Sequence, residues 1–218
     1  MADQVRRYRM SRRAESQEQT RLRITESAVA LHGTVGPART TMSAIAEHAG
    51  VRRSTLYRHF PDEAAVFDAC SAHWSAAHPI PDPGAWAAIE DADERLRDAL
   101  AELYGFYAAG APMLENLLRD ESASAIVAER FAIFHRFLEA AREVLLSGRA
   151  LRGARRRRTE AALGHALAFS TWKSLVSEQG LPTGEAVSLM CSLVDAAQRP
   201  DRSNAARRAS SAPHGGSP

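Results

Sequence analysis

Residues 49–60 read AGVRRSTLYRHF and hold the densest chemistry in this 218-residue sequence. Arg52, Arg53, Ser54, Thr55, Tyr57, Arg58 and His59 are interleaved with apolar Val51, Leu56 and Phe60. On a helix, Leu56 and Phe60 share one side and leave most of the polar set outward. Guanidinium groups near the start of such a helix can pair bidentately with guanine edges, and Tyr and His can hydrogen-bond phosphates. That chemistry is nucleic-acid recognition. A merely solvated basic helix is the plainer alternative, and the flanking sequence decides between them.

The flanks supply what a recognition helix needs. In TTMSAIAEHAGVRRSTLYRHF, Thr41 suits an N-cap, and Met42, Ile45 and Ala49 line one side of a helix over about 42–49. Gly50 ends that helix, because glycine tolerates the left-handed conformation. A second helix follows over about 52–59. Ile45, Ala46, Ala49, Val51, Leu56 and Phe60 can form a small core between them, with Ala46 small enough for close packing. Turn glycine, apolar spacing and basic outward face agree, which is the pattern of a helix-turn-helix.

Charge points the same way. Residues 1–60 hold 11 Lys/Arg against 5 Asp/Glu, and the remainder 17 against 21. A basic first part on an acidic body suggests that the first part meets a polyanion. Arg6, Arg7, Arg9, Arg12, Arg13, Arg21 and Arg23 lie on a polar arm, where they can enter a minor groove or add only nonspecific attraction. Arg149, Arg152 and Arg155 to Arg158 form a second basic cluster, which reads as a solvated helix start or a protein contact.

Other chemistries have little support. Cys70, His73 and His78 have loosely ligand-like spacing, but a single Cys-x-x-His without a second pair is weak, so no metal and no cofactor are expected. Cys70 and Cys191 make no disulfide framework and suit a reducing cytosol. No Gly-rich phosphate loop, nucleophile elbow or zinc-protease motif occurs. An enzyme with a helical site around His135 and His165 would need a nucleophile–base pair of recognisable spacing, and there is none, so the chain is expected not to be an enzyme.

The elements that position these residues are helical. Hydrophobic residues make up 45% of the chain and aromatics 6%, Ala and Leu dominate, and β-branched runs are scarce, so the fold class is all-α. Helices are expected over about 21–33, 42–49, 52–59, 62–78 and 85–109, then a short one after Pro112, then about 122–147, 154–178 and 183–198. Residues 1–20 read as a disordered basic arm and 199–218 as a disordered tail. Between them, 21–66 form a helix-turn-helix DNA-binding domain and 67–198 a helical ligand-binding and dimerisation domain. No apolar run approaches the roughly 18–20 residues of a membrane span, and the arginine-rich start lacks a secretory core. A cytoplasmic protein with no membrane partner is expected. Lys173 is the sole lysine, as a GC-rich bacterial coding sequence would give.

The segment TTMSAIAEHAGVRRSTLYRHFPDEAAVF resembles the DNA-binding signature of the TetR family of bacterial transcriptional regulators. A Thr before the first helix, Ile-Ala, Ala-Gly-Val, a Leu-Tyr-x-His-Phe block and an acidic start to the next helix carry the likeness, over about residues 20–67. The resemblance implies that Arg52, Arg53, Ser54 and Thr55 approach bases while Thr41, Tyr57 and His59 hold phosphates. It also implies an all-helical regulatory domain and dimerisation through the last two long helices. One position departs from the pattern: Glu63 stands where the family usually places a basic residue beside the DNA backbone.

The helix over 154–178 is apolar nearly all round from Ala161 to Val176, and such a helix must be covered on all sides. A second protomer is the expected cover, with Leu175, Leu189 and Leu193 in the dimer interface. For a small-molecule pocket, Tyr104, Tyr107, Met113, Phe131 and Phe134 offer aromatic and apolar walls. His135, Leu138, His165, Phe169 and Trp172 complete the candidate set, each also plausible as plain core. Together these features describe a dimeric transcriptional repressor on a palindromic operator, released by a small-molecule effector. A ligand-independent regulator or a protein-binding adaptor built on the same head is the alternative.

Overall fold

The computed structural model describes residues 2–200, and among them every regular element is helical. They form two compact units. One joins the stretch up to Pro81 with Gly105–Phe137, and the other joins Asp82–Tyr104 with the stretch from Leu138 on. The division therefore crosses two long helices and does not fall after residue 66.

The first unit opens with α1 (Ala2–Thr34), which corrects the disordered arm expected over residues 1–20. The physical reason is local: no Gly or Pro occurs before Gly33, and Arg, Gln, Glu and Ala are good helix formers. The docked half, with Ile24 and Ala28 fully buried, supplies the nucleus from which the helix extends. The expected tail lies outside the described residues from position 201 on.

After α1 come α2 (Met42–His48), α3 (Arg53–His59) and α4 (Glu63–Ala77). Ile24, Ala28, Ile45, Ala46, Leu56, Phe60, Val66 and Cys70 bury together as their common core. α6 (Ala92–Asp120) and α7 (Ala125–Leu146) each contribute one stretch to both units.

Two helix boundaries differ from expectation. The helix expected over 85–109 is instead α5 (Pro83–Ala87), a break, and then α6. Asp91 restarts the chain, its Oδ1 accepting from the N–H groups of Asp93 (2.9 Å) and Glu94 (2.8 Å). α6 then runs straight through exposed Pro112, with no separate helix after it. The proline costs about 3 kcal/mol in a helix interior, but Met113, Leu114 and Asn116 beyond it are buried and hold the helix on course.

In the second unit, the helix expected over 154–178 is broken into α8 (Gly153–Leu167) and α9 (Phe169–Trp172), the latter running on as a π-turn segment, Lys173–Glu178. Ala168 takes an extended conformation (ψ 135°). The carbonyls freed by this break find side-chain donors: Tyr104 Oη donates to Ala166 O (3.0 Å) and Thr171 Oγ1 to His165 O (2.6 Å). α10 (Thr183–Gln198) packs along α8.

Candidate functional site

α2 and α3 are joined by a turn that only a residue at ease with positive φ can make. Gly50 has φ +63°, its N–H bonds to Glu47 O (3.0 Å), and Val51 N–H bonds to Ala46 O (2.9 Å). Leu56 and Phe60 are fully buried under this turn, which fixes how α3 rotates. Arg52, Arg53, Ser54, Tyr57 and Arg58 are left exposed on its outer face, with Thr55 and His59 half-buried. The Arg53 guanidinium lies 5.9 Å from the centre of the Tyr57 ring, so the ring supports the arginine without occupying its hydrogen-bonding edge.

Thr41 caps α2, its Oγ1 accepting from Ala44 N–H (3.1 Å). The hydroxyl proton remains to be donated to an anion. His59 is less available. Its Nε2 is enclosed without a hydrogen-bond partner, so a phosphate can be met only through Nδ1. Burial and the neighbouring Arg58 and Arg21 guanidinium groups lower its pKa, which keeps the ring neutral at pH 7. Arg21 is not part of a loose arm: it donates to His59 O (2.9 Å) and stacks on Phe60 at 4.3 Å, tying α1 to the end of α3. Glu63 is exposed at the start of α4, where Asp62 Oδ1 caps the helix by accepting from Ala65 N–H (2.8 Å).

A cavity of about 260 Å³ lies behind this surface in the same unit, among α1, α4, α6 and α7. Phe67, Trp74, Phe106, Met113, Phe131 and Phe134 line it, with His32, Cys70, Ser71, Ser75 and the Asp68–Arg130 pair among its polar groups. His32 and Cys70 are bonded to one another (Nδ1 to Sγ, 3.3 Å). Burial pushes the His32 imidazole down to about 4, against a smaller opposing effect of Asp120, and pushes the Cys70 thiol up to about 12. Both are uncharged at neutral pH.

The end of α6 that lines the cavity also grips the chain between α1 and α2. Asn116 Nδ2 donates to His32 O (2.9 Å), Arg119 donates to Val35 O (2.9 Å), and Asp120 Oδ2 accepts from Ala38 N–H (3.0 Å). Arg119 is itself held by Asp120 Oδ1 (2.7 Å) and Asn116 Oδ1 (2.7 Å). Burial raises the Asp120 pKa, but the bonds from Arg119 and Ala38 more than offset this and hold the carboxylate ionised.

Of the expected pocket residues, Met113, Phe131 and Phe134 line the cavity. Tyr107 is fully buried but outside its lining, His135 is exposed and pairs with Glu121 (2.8 Å), and Leu138 is half-buried. Tyr104, Phe169 and Trp172 are buried in the second unit, and His165 there is exposed. Sequence reasoning missed the face of α4: Phe67, Cys70 and Trp74 recur there at helical spacing. Cys70 does not gather His73 and His78 as ligands, because His73 is exposed and His78 stacks on Trp74 at 4.6 Å. Among the described residues no group of three His, Cys, Asp or Glu could hold a metal ion, and no helix is long and apolar enough to cross a membrane. In the second basic cluster, Arg149 pairs with Asp93 (2.8 Å) and Arg156 with Glu160 (2.8 Å).

A glycine-turned pair of helices presenting an arginine-bearing face defines a helix-turn-helix DNA-binding protein. Residues 24–70 match the family model described as "Bacterial regulatory proteins, tetR family", so this segment is similar to the DNA-binding part of that family. A tetR-family transcriptional regulator from Streptomyces coelicolor shares the fold at TM-score 0.56 and 20% identity, over 88% of each chain. NalD, the secondary repressor of the MexAB-OprM multidrug efflux pump in Pseudomonas aeruginosa, does so at TM-score 0.57 and 19% identity, over 84% of this chain and 97% of its own. At these identities the likeness is one of fold. No curated protein matches the sequence.

Proposed function

We propose that the chain is a ligand-responsive repressor that binds a palindromic operator as a homodimer. Residues 21–66 would serve as its DNA-binding part and 67–198 as its regulatory and dimerisation part. The observation that carries this reading is the outer face of α3, where Arg52, Arg53 and Ser54 stand exposed beside half-buried Thr55 over a buried core. These four approach base edges, while Thr41, Tyr57 and His59, the last through Nδ1, hold phosphates. Two such helices related by a twofold axis enter successive major grooves. Leu189 and Leu193 on α10, 48% and 40% exposed, together with Leu175, support a second protomer as their cover. NalD, which shares the fold, is a repressor, and this supports the direction of control.

The effector site is the cavity, and α6 is the coupling element, since one end of it both lines the cavity and grips the α1–α2 connection. An occupant that binds the two head positions with different affinity shifts the population between them, and operator affinity with it. Selection of duplexes from a random pool tests the reading. The expected result is a palindrome with half-sites about one helical turn apart. Failure to enrich any consensus, or enrichment of a single half-site, would overturn it.

A further inference from the structure

The cavity carries more information than its position. Its walls are aromatic faces: Phe131 and Phe134 stack at 5.0 Å, Phe106 lies edge-on to Trp74 at 6.1 Å, and Phe106 and Phe134 are 6.3 Å apart. Such faces favour offset stacking with a flat ring. Its volume, about 260 Å³, is at the small end for ligand sites, which suits one or two fused rings. The two formally charged residues on its lining cancel: Arg130 donates to both carboxylate oxygens of Asp68 (2.6 and 3.3 Å). His32 and Cys70 satisfy one another and stay uncharged. A charged occupant would lose its hydration and find no counter-charge that is not already engaged.

We infer that the effector is an uncharged, flat aromatic molecule of one or two fused rings, held against the aromatic walls that Trp74, Phe106, Phe131 and Phe134 give the cavity. This rests on the reading of the cavity as the effector site. The seat of Trp74 is set by Gly110, because a Cβ there would lie 2.8 Å from Trp74 Cζ2 and force the indole to move. Trp74 also gives the experiment its reporter. The other two tryptophans, Trp86 and Trp172, are buried in the second unit.

The test uses the full chain without DNA and three probes sharing one ring system: 2-methoxynaphthalene, 2-naphthoate and 2-naphthylmethylammonium. The neutral probe is expected to quench tryptophan emission saturably, with the quenching lost in Trp74→Phe while calorimetric binding persists. The two ions are expected to bind at least about tenfold more weakly. Gly110→Ala is expected to weaken the neutral probe several-fold with helicity unchanged by circular dichroism. Ser71→Leu, which fills the cavity from its lining, is expected to do the same should Gly110→Ala not fold. No saturable binding of the neutral probe up to its solubility, or equal binding of either ion, overturns the ligand class. Probe binding that leaves operator affinity unchanged overturns the regulatory reading and leaves the ligand class standing.

Discussion

In the proposed reading, Arg53 is the residue on which sequence readout turns. It is exposed near the start of α3 and braced by the Tyr57 ring. Arg53→Ala should cost about 1–3 kcal/mol at one base pair of each half-site and relax the preference there, whereas Tyr57→Phe should weaken all sequences alike. Parallel binding titrations on the selected consensus and its single-base variants check both. Glu63 is expected to work in the opposite sense. It is exposed and unpaired with Arg58 among the described residues, at a helix start that would otherwise favour an anion. Glu63→Lys should tighten specific and nonspecific binding together and steepen the log affinity against log salt line by roughly one unit per half-site. The consensus should not move, since phosphates carry no base identity; lines of equal height and slope would show that Glu63 has no bearing on DNA. His32 belongs to stability. Buried, it takes up a proton only near pH 4, while an unfolded histidine does so near 6.5, so acid favours the unfolded chain. Its contribution is full above pH 6.5 and lost as pH falls toward 4, by about 3 kcal/mol. Denaturant titrations at stepped pH should show a shallower fall for His32→Gln than for the natural chain; identical slopes would mean that His32 does not titrate across unfolding.

Among the elements, the end of α6 is the one that joins cavity to head. Gly36 sits inside its grip at φ +94°, and a Cβ there would collide with the Arg119 guanidinium and the Asp120 carboxylate. Arg119 could swing away only by giving up its bonds to Val35, Asn116 and Asp120. Gly36→Ala should therefore destabilise by about 2 kcal/mol or more. Gly50→Ala, at φ +63° with open space around the new methyl, should cost only about 1 kcal/mol, whereas Gly36, at φ +94° and ψ 153°, also holds a backbone conformation that essentially only glycine adopts. Equal losses in thermal unfolding would mean that neither the grip nor this backbone conformation adds to the cost at Gly36. What was legible in the sequence follows from the range of the forces involved. α2, α3 and their turn are specified by neighbours: Thr41 caps, Gly50 turns, and Leu56 and Phe60 bury within the same short segment. The run of α6 through Pro112 and the break at Ala168 were not legible. The break at Ala168 is met by a residue distant in sequence, Tyr104 Oη reaching Ala166 O, and the run of α6 through Pro112 depends on the burial of the residues just beyond it, Met113, Leu114 and Asn116, which local propensity does not reveal. The cavity was half legible for the same reason. Phe131 and Phe134 advertise themselves on an apolar stripe, but which helix faces them depends on the packing of α4, and Trp74 and Phe67 come from there.

At the scale of the whole molecule, charge and assembly act together. The basic excess in residues 1–60 draws that segment toward a polyanion such as DNA. In the proposed dimer, one head alone would have only the seven-residue α3 to read with, so a single half-site is expected to bind weakly. Linking two heads makes the second contact intramolecular and raises apparent affinity by orders of magnitude without a new kind of contact. That gain depends on whatever joins the protomers. On α10, Ala186, Met190 and Val194 are buried within the second unit, and Leu189 and Leu193 flank that buried stripe at 48% and 40% exposure. An aspartate at Leu193 would place a charge where a twofold mate would bury it, and an unpaired buried charge is among the most disruptive of substitutions. Since Leu193 is 40% exposed, the same change should scarcely affect the folding of the protomer itself. Leu193→Asp should therefore sediment as a monomer at micromolar concentration, keep its helical circular dichroism, and lose tight operator binding while retaining weak, salt-sensitive attachment to any duplex. A natural chain that already sediments as a monomer, or a Leu193→Asp protein that stays dimeric and binds the palindrome unimpaired, would place the interface elsewhere.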